Sequence, residues 1–408
     1  MKNFVFNEGY QKSNFFDGAK GSYIFIKKKK YLDLACCSGA NMLGHNTKIS
    51  KKIFNNFHSK NISNISAPNI QSVNYAKNIK KILPKFSKFV FCNSGSESNI
   101  KAVRIARAIS GKDMVVSTTG SWHGSVDQFL YSSDKKLNKI KLSDGLSEVD
   151  KKRLILIPYN NIEETKKILL KFKNKISCIL IEPIQGCLPL PDSKKYLKFL
   201  DNFSKKNKIL LIFDEIITGL RTNCKSLQDH FNIQTDISTF GKVFGSGVPI
   251  GFIAITKKIE KILLKKKLSV YFGGTFSGNS QNMFFADQHL KHIIKNKNKI
   301  FKKISDNASY MQNKINNFCK KNSLDVRVYR YMSIVRIVFS KKLIKDRQSR
   351  DFFEKNKSIN ITKFKRFLFD KNIYYPNNGI IFISASHSKS EISYASNIII
   401  EGLKKYFK

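Results

Sequence analysis

Acidic residues are scarce in this chain. Asp and Glu number 29 against 74 Lys and Arg in 408 residues, a formal charge of +45 at pH 7. That balance alone points to nucleic acid or an anionic surface. The cations, however, are mostly lysine and run through the whole chain, at 27–30, 265–267, 302–303 and 404–405, alongside an excess of Asn, Ile and Phe. These are the amino acids of A/T-rich codons, so genome composition is the simpler cause. Arginine–aromatic alternation of the base-reading kind is lacking, and no nucleic-acid partner is expected. Long apolar runs are lacking too. No stretch approaches the roughly 18 uninterrupted apolar residues of a membrane span, and the first eight residues hold no long apolar region. A cytoplasmic protein without a membrane partner is expected. The seven cysteines have no metal-ligand spacing, and only Cys36-Cys37 are adjacent; reduced, mostly buried thiols and no metal follow. Internal repeats and long linkers are also missing.

What is present is a large core. Hydrophobic residues make up 41% of the chain and aromatics 12%, enough for one large domain and one smaller one. Apolar, β-branched runs at 89–92, 114–116, 154–157, 178–181, 209–213 and 252–255 predict buried strands. Helical patterns lie between several of them, at 99–108 (stopped by Gly111), 162–172 and 196–203. Strand–helix alternation predicts an α/β architecture with a mostly parallel sheet covered on both faces. Ligands of such sheets sit beyond the carboxyl ends of the strands. From about residue 286 lysine-rich helical patterns (289–320) lead to short strands at 326–329, 334–339 and 380–383 and a final helix at 391–406, a smaller α+β domain. The first 45 residues predict a hairpin of strands 23–26 and 31–35 around a turn-like lysine run. The expected division is an N-terminal segment, 1–45, packing with the small domain; a large domain, 46–285; and a C-terminal small domain, 286–408.

Five segments carry chemistry. Residues 93–99 (NSGSESN) follow a strand and open a helix; Gly95 lets the backbone approach an anion, and Ser96 adds a hydroxyl and an N–H. A plain serine N-cap without a ligand explains the segment nearly as well. The single tryptophan, Trp122, sits before His123 and Gly124 soon after a strand, where an indole can stack on a flat ring; a core tryptophan is the plainer alternative, and for His123 a hydrogen-bonded turn. Asp214 ends the most apolar strand, where an unpaired charge is costly. A protonated pyridine nitrogen, backbone N–H groups or Arg221 would each pair it. Glu215 points to the other side of the strand and serves another role. Lys242 lies among Gly241, Gly245 and Gly247, where a tight site lowers an ammonium's proton affinity and frees a nucleophilic amine. Gly273-Gly274-Thr275 forms another turn with a hydroxyl suited to phosphate. A buried lysine and a carboxylate at a strand end are what pyridoxal 5′-phosphate needs: a Schiff base through the amine and a partner for the ring nitrogen.

In this order the segments resemble the fold-type-I PLP-dependent transferases. More closely, the chain is similar to the class-III aminotransferases, in the branch of glutamate-1-semialdehyde 2,1-aminomutase. The resemblance is carried by 93–113, SWHGSVD (121–127), IEPIQG (181–186), LLIFDEIITGLR (210–221), DISTFGKVFGSGVPIGFIA (236–254) and FGGTFSGN (272–279), with weaker matches at 31–46 and 382–387. It implies that Lys242 binds the cofactor aldehyde and moves the substrate proton, and that Asp214 holds the pyridine nitrogen. It further implies that Trp122 and Ile216 pack on the two ring faces and that Gly95 and Ser96 hold the phosphate. Thr275 would reach the phosphate of a partner subunit, making a homodimer necessary. Glu182 is expected to be structural. The aminomutases carry a gating glutamate shortly before the FxSxAH element; here residues 375–381 read Tyr-Pro-Asn-Asn-Gly-Ile-Ile, without an acid. No clear N-terminal aminomutase signature is present either. The sequence therefore favours an aminotransferase taking an amino group from a small-molecule donor amino acid to a keto or aldehyde acceptor, with the aminomutase as the alternative.

Overall fold

The structure, a computed structural model, describes residues 15–408 apart from 66 and 135. Strands β1 (Gly18–Lys20), β2 (Tyr23–Ile26) and β3 (Lys29–Asp33) form an antiparallel meander. The lysine run makes the β2–β3 turn, with φ of 46° at Lys27 and 69° at Lys28, the doubled positive φ of a two-residue hairpin. β3 stops at Asp33 rather than at residue 35. The Asp33 carboxylate accepts the N–H of Ala35 at 2.7 Å and of Cys36 at 3.0 Å, which bends the chain out of the strand.

The central sheet draws on β4 (Phe86–Cys92) and β5 (Met114–Thr118). A small hairpin of β6 (Tyr131–Ser133) and β7 (Lys139–Lys141) intervenes. β8 (Leu154–Ile157), β9 (Ile176–Ile181), β10 (Leu210–Asp214), β11 (Ile237–Gly241) and β12 (Gly251–Thr256) complete it. Its order is β4-β12-β11-β10-β9-β5-β8. Only β12 runs against its neighbours, β11 and β4, because the short connection 242–250 cannot make the crossover a parallel pair requires. Side chains alternate cleanly between two cores. Ile155, Ile157, Ile179, Ile181, Leu211 and Phe213 pack on one face. Leu154, Leu156, Cys178, Leu180, Leu210 and Ile212 pack on the other, with helix Gly95–Ser110. That period of two with both faces covered is why these strands read as continuous apolar runs.

Helices Ser280–Lys295 and Lys297–Lys321 lead out of the sheet, so residues 285 and 286 lie within one helix. Beyond them β13 (Arg327–Tyr331), β14 (Ile334–Val338) and β16 (Ile380–Phe382) form an antiparallel sheet. β15 (Ile373–Tyr374) instead pairs parallel with β3, Ile373 opposite Leu32, so the first strands of the chain share a sheet with a C-terminal one. Helix Lys389–Phe407 starts with a capping box between Ser388 and Glu391. One continuous core runs from Phe86, Phe240 and Phe252 of the central sheet through Met283 and Met311 to Phe364 and Ile399.

β4, β5, β10 and β11 all point the same way, so their carboxyl ends share one edge. There the helix Gly95–Ser110, the loop after β5, the segment after Asp214 and the turn at Lys242 meet.

Candidate active site

A cavity of about 320 Å³ opens at that edge. Six residues singled out from the sequence line it: Gly95, Ser96, Trp122, Asp214, Ile216 and Lys242. Thr275 does not; it is exposed in its own chain.

Asp214 is 2% exposed and holds three hydrogen bonds, which leave acceptor capacity on Oδ1. Oδ2 faces His123 Nδ1 at 2.7 Å and accepts from Asn99 Nδ2 at 2.8 Å; Oδ1 accepts from the Ile216 N–H at 3.0 Å. A carboxylate only accepts, so His123 carries its proton on Nδ1, leaving Nε2 beside Ser117 Oγ at 2.9 Å. Asn99 is oriented in turn by the Thr239 hydroxyl, which donates to Oδ1 at 2.7 Å. These contacts settle two questions left open by the sequence. Arg221 does not pair Asp214, and His123 is a hydrogen-bonded support rather than a free acid or base.

Ser94 caps the helix Gly95–Ser110, its side chain accepting the Glu97 N–H. The N–H groups of Gly95 and Ser96 have no acceptor among the described residues, so the positive end of a sixteen-residue helix faces the cavity. Ser96 Oγ accepts from the Ser125 N–H at 3.1 Å, which leaves its own proton to donate. A Cβ on Gly95 would sit 2.5 Å from Ile216 Cδ1; only glycine lets this helix start lie against Ile216.

Lys242 begins the 3₁₀ turn Lys242–Phe244 with φ of 46°. Burial pushes its ammonium below the ordinary lysine value, and the Arg221 charge pushes in the same direction, against Asp214, Cys37 and Glu182. Trp122 is half-exposed, not a core residue. Its backbone N–H donates to Glu182 Oε2 at 2.9 Å, and the Gly186 N–H donates to Oε1 at 3.2 Å. Glu182 therefore fixes the loop that carries the indole. Burial, with Asp214 adding to it, pushes Glu182 up to about 7.

Several contributors were not identified from the sequence. Asn99 was quoted only as part of a helix. The turn at residues 36–40, which puts Cys37 and Ala40 on the cavity wall, was noted only as a weak match; Gly124, in the 121–127 segment, was quoted without a role and also lines the cavity.

Fold and site together define a fold-type-I PLP-dependent transferase. The aminotransferase class-III family model matches residues 6–352, and the chain belongs to that family, whose cofactor is pyridoxal 5′-phosphate. Glutamate-1-semialdehyde 2,1-aminomutase of Methanosphaera stadtmanae is 30% identical over 400 residues, spanning 97% of this chain and 92% of that protein. The Wigglesworthia glossinidia brevipalpis protein of the same name is 32% identical over 403 residues, 96% and 89%. Among solved structures, an omega-transaminase from Sphaerobacter thermophilus superposes with a TM-score of 0.88 at 17% identity, over 97% and 92% of the two chains. A glutamate-1-semialdehyde aminomutase from Pseudomonas aeruginosa PAO1 gives 0.85 at 16%, over 96% and 88%.

The residues present fit the cofactor: an amine that burial makes easier to deprotonate, a buried carboxylate, a helix start with two free N–H groups, and an indole and an aliphatic side chain around one cavity.

Proposed function

We propose that this protein moves an amino group within one substrate, as its name says of glutamate-1-semialdehyde 2,1-aminomutase. The observation that carries the reading is the end-to-end match to relatives of that name, at 30% and 32% identity over at least 96% of the chain, joined to a site with Lys242 and Asp214 on one cavity.

Bound pyridoxal 5′-phosphate supplies the aldehyde that exchanges amino groups and a ring that draws electrons from the neighbouring carbon. In this reading Lys242 holds that aldehyde, and its Nζ takes the proton from the substrate carbon and returns it, a task suited to an amine that burial has made easier to deprotonate. Asp214, held by His123, Asn99 and the Ile216 N–H, anchors a protonated ring nitrogen. Gly95 and Ser96 bind the phosphate. Trp122 and Ile216 flank the ring. Thr275, exposed in its own chain, reaches the cofactor of the partner in a homodimer.

One observation favours the second reading, transfer from a donor amino acid to a separate keto or aldehyde acceptor. Residues 375–381, where a gating glutamate is expected, hold no acid. The Glu354 carboxylate is occupied by Arg336 at 3.6 Å and Arg350 at 3.4 Å. The test is to supply glutamate 1-semialdehyde alone and follow the isomer with nitrogen on C1 and a carbonyl on C2. Product without any added amino donor or keto acid supports the mutase reading. No isomer, with glutamate or alanine converting the lysine-bound cofactor absorption to that of the amine form, overturns it in favour of the transaminase. Lys242→Ala should lack the lysine-bound absorption altogether.

A further inference from the structure

Residues 36–39 make a tight turn of unusual hand. Cys36, Cys37, Ser38 and Gly39 take φ of 46°, 52°, 50° and 85°, and the Gly39 N–H closes the turn on Ala35 O at 2.9 Å. Three of these four are not glycine, so the left-handed turn is held by its surroundings and not by its own preference. It matters because Cys37 from this turn and Ala40 just after it line the cavity with Lys242.

The clasp is Arg221. It is 2% exposed and makes no ion pair with an acid among the described residues. Its guanidinium instead reaches three separate elements. Nη2 donates to Gly39 O, Nε donates to Ile217 O at 2.7 Å, and Nη1 donates to Ser333 Oγ at 2.9 Å. Its carbon lies 4.9 Å from the centroid of the Phe382 ring, and a Cβ on Gly39 would collide with Arg221 and Phe382. Ile217 lines the cavity on the segment that follows Asp214. Ser333 and Phe382 belong to the C-terminal part. A planar fork with five N–H donors suits this bridging, and lysine cannot reproduce it.

We propose that Arg221 is a positioning residue that fastens the left-handed turn 36–39 to the cavity and ties the C-terminal sheet to the cavity wall. The importance of the wall for turnover rests on the amino-transfer reading above; the clasp itself does not. Its cation also acts on Lys242, in the direction given above.

The test reads the turn directly. Cys36 is 3% exposed, its thiol held to Phe382 O at 3.2 Å, whereas its neighbour Cys37 is exposed. The alkylation rate of Cys36, mapped by peptide mass, therefore reports opening of the turn. The full chain is compared as wild type, Arg221→Gln, Arg221→Lys and Ser333→Ala, with and without pyridoxal 5′-phosphate. The expected result is Cys36 labelling faster by about tenfold or more in Arg221→Gln through local opening, beyond what any drop in its urea midpoint accounts for, with a smaller rise in Ser333→Ala. Arg221→Lys should also label fast, because it keeps the charge but not the fork. In the cofactor-loaded protein, the pH at which the lysine-bound absorption titrates should rise in Arg221→Gln and stay near wild type in Arg221→Lys, a separation that a purely structural role would not give. Wild-type labelling of Cys36 in every variant overturns the proposal. Should Arg221→Gln fail to fold, the lysine and Ser333 variants decide on the same criterion. A protein that takes up no cofactor would sink the functional reading while leaving the labelling result to judge the clasp.

Discussion

Replacing Gly124 by alanine tests whether the helix start at Gly95 and Ser96 is a ligand site. Gly124 has φ of 92°, and a Cβ there would overlap Ser96 Oγ and lie 2.8 Å from Ser96 Cβ and 2.9 Å from Ser96 Cα. Two terms add. Forcing a side chain into the left-handed region costs roughly 1–2 kcal/mol, and displacing a helix backbone that cannot swing aside costs roughly 1–3 kcal/mol. The sum, about 2–5 kcal/mol, is within the stability of an ordinary domain, so the variant should fold with a lower urea midpoint. The phosphate site should suffer more specifically, because the Ser96 hydroxyl and N–H move away from where they point. Losing one hydrogen bond to a charged group, roughly 1.5–3 kcal/mol, weakens cofactor binding by about 10–150-fold. Trp122, the chain's single tryptophan, lines the cavity, so quenching of its fluorescence during cofactor titration of the apoprotein is the assay. Gly111→Ala is the control: φ there is 67°, but nothing lies within 4 Å of the added Cβ, so it should lose the backbone term alone and bind cofactor as wild type does. Equal cofactor affinity in Gly124→Ala and Gly111→Ala would refute the reasoning.

Glu215 offers a pH test. Burial pushes its carboxyl up to about 8 from 4.5, with Oε2 accepting the Leu227 N–H at 2.6 Å. The folded state then holds a proton that the unfolded chain has lost, so this group's contribution is full below about pH 4.5 and is lost as pH rises towards 8. Glu215→Gln should flatten that part of the profile, by about 2–5 kcal/mol over the range, and urea midpoints measured from pH 5 to 8 that run parallel to wild type would contradict it. Mixing Lys242→Ala with Thr275→Ala subunits should regain activity that neither has alone, since one site of each mixed dimer would combine an intact lysine with the partner's intact threonine; no recovery would place Thr275 in its own chain's site or outside any. Asn99→Ala should remove one hydrogen bond to Asp214 and strand the Thr239 hydroxyl, lowering stability by about 1–3 kcal/mol, visible in a urea titration.

Of the strands that carry the site, β5 and β10 were legible because each is buried on both faces and so reads as an apolar run. β11 was not. Its Ser238 and Thr239 are fully buried, and they break the apolar pattern because they serve as polar partners, Thr239 for Asn99 and Ser238 beside the Thr235 hydroxyl. The same economy hid Asn99, a helix residue whose value lies in reaching from Thr239 to Asp214 across three elements. Helices Lys48–His58 and Ser358–Asp370 were missed although Ile49, Ile53 and Phe57, and Ile361, Phe364 and Leu368, keep a helical apolar spacing. Lys242, Asp214 and Gly95 could be found because their chemistry is written in a residue type set against its surroundings. The turn at 36–39 could not, since its hand is imposed by Asp33 and Arg221 from outside.

The excess charge and the site obey different constraints. Lysines of the exposed surface pair loosely, as Lys302 does with Asp306 and Lys257 with Glu260, and such pairs are worth little. Among the described residues that line the cavity, Lys242 is the only lysine or arginine, facing the acids Asp214 and Glu182. A chain can therefore drift to +45 through its surface while the cavity keeps one cation, because a second buried ammonium there would push Lys242 further from its charged form and compete for Asp214. Among the described residues the other cation that acts on Lys242 is Arg221, and its place behind the wall, bonded to carbonyls and a hydroxyl, lets its field reach the amine without offering a rival nucleophile.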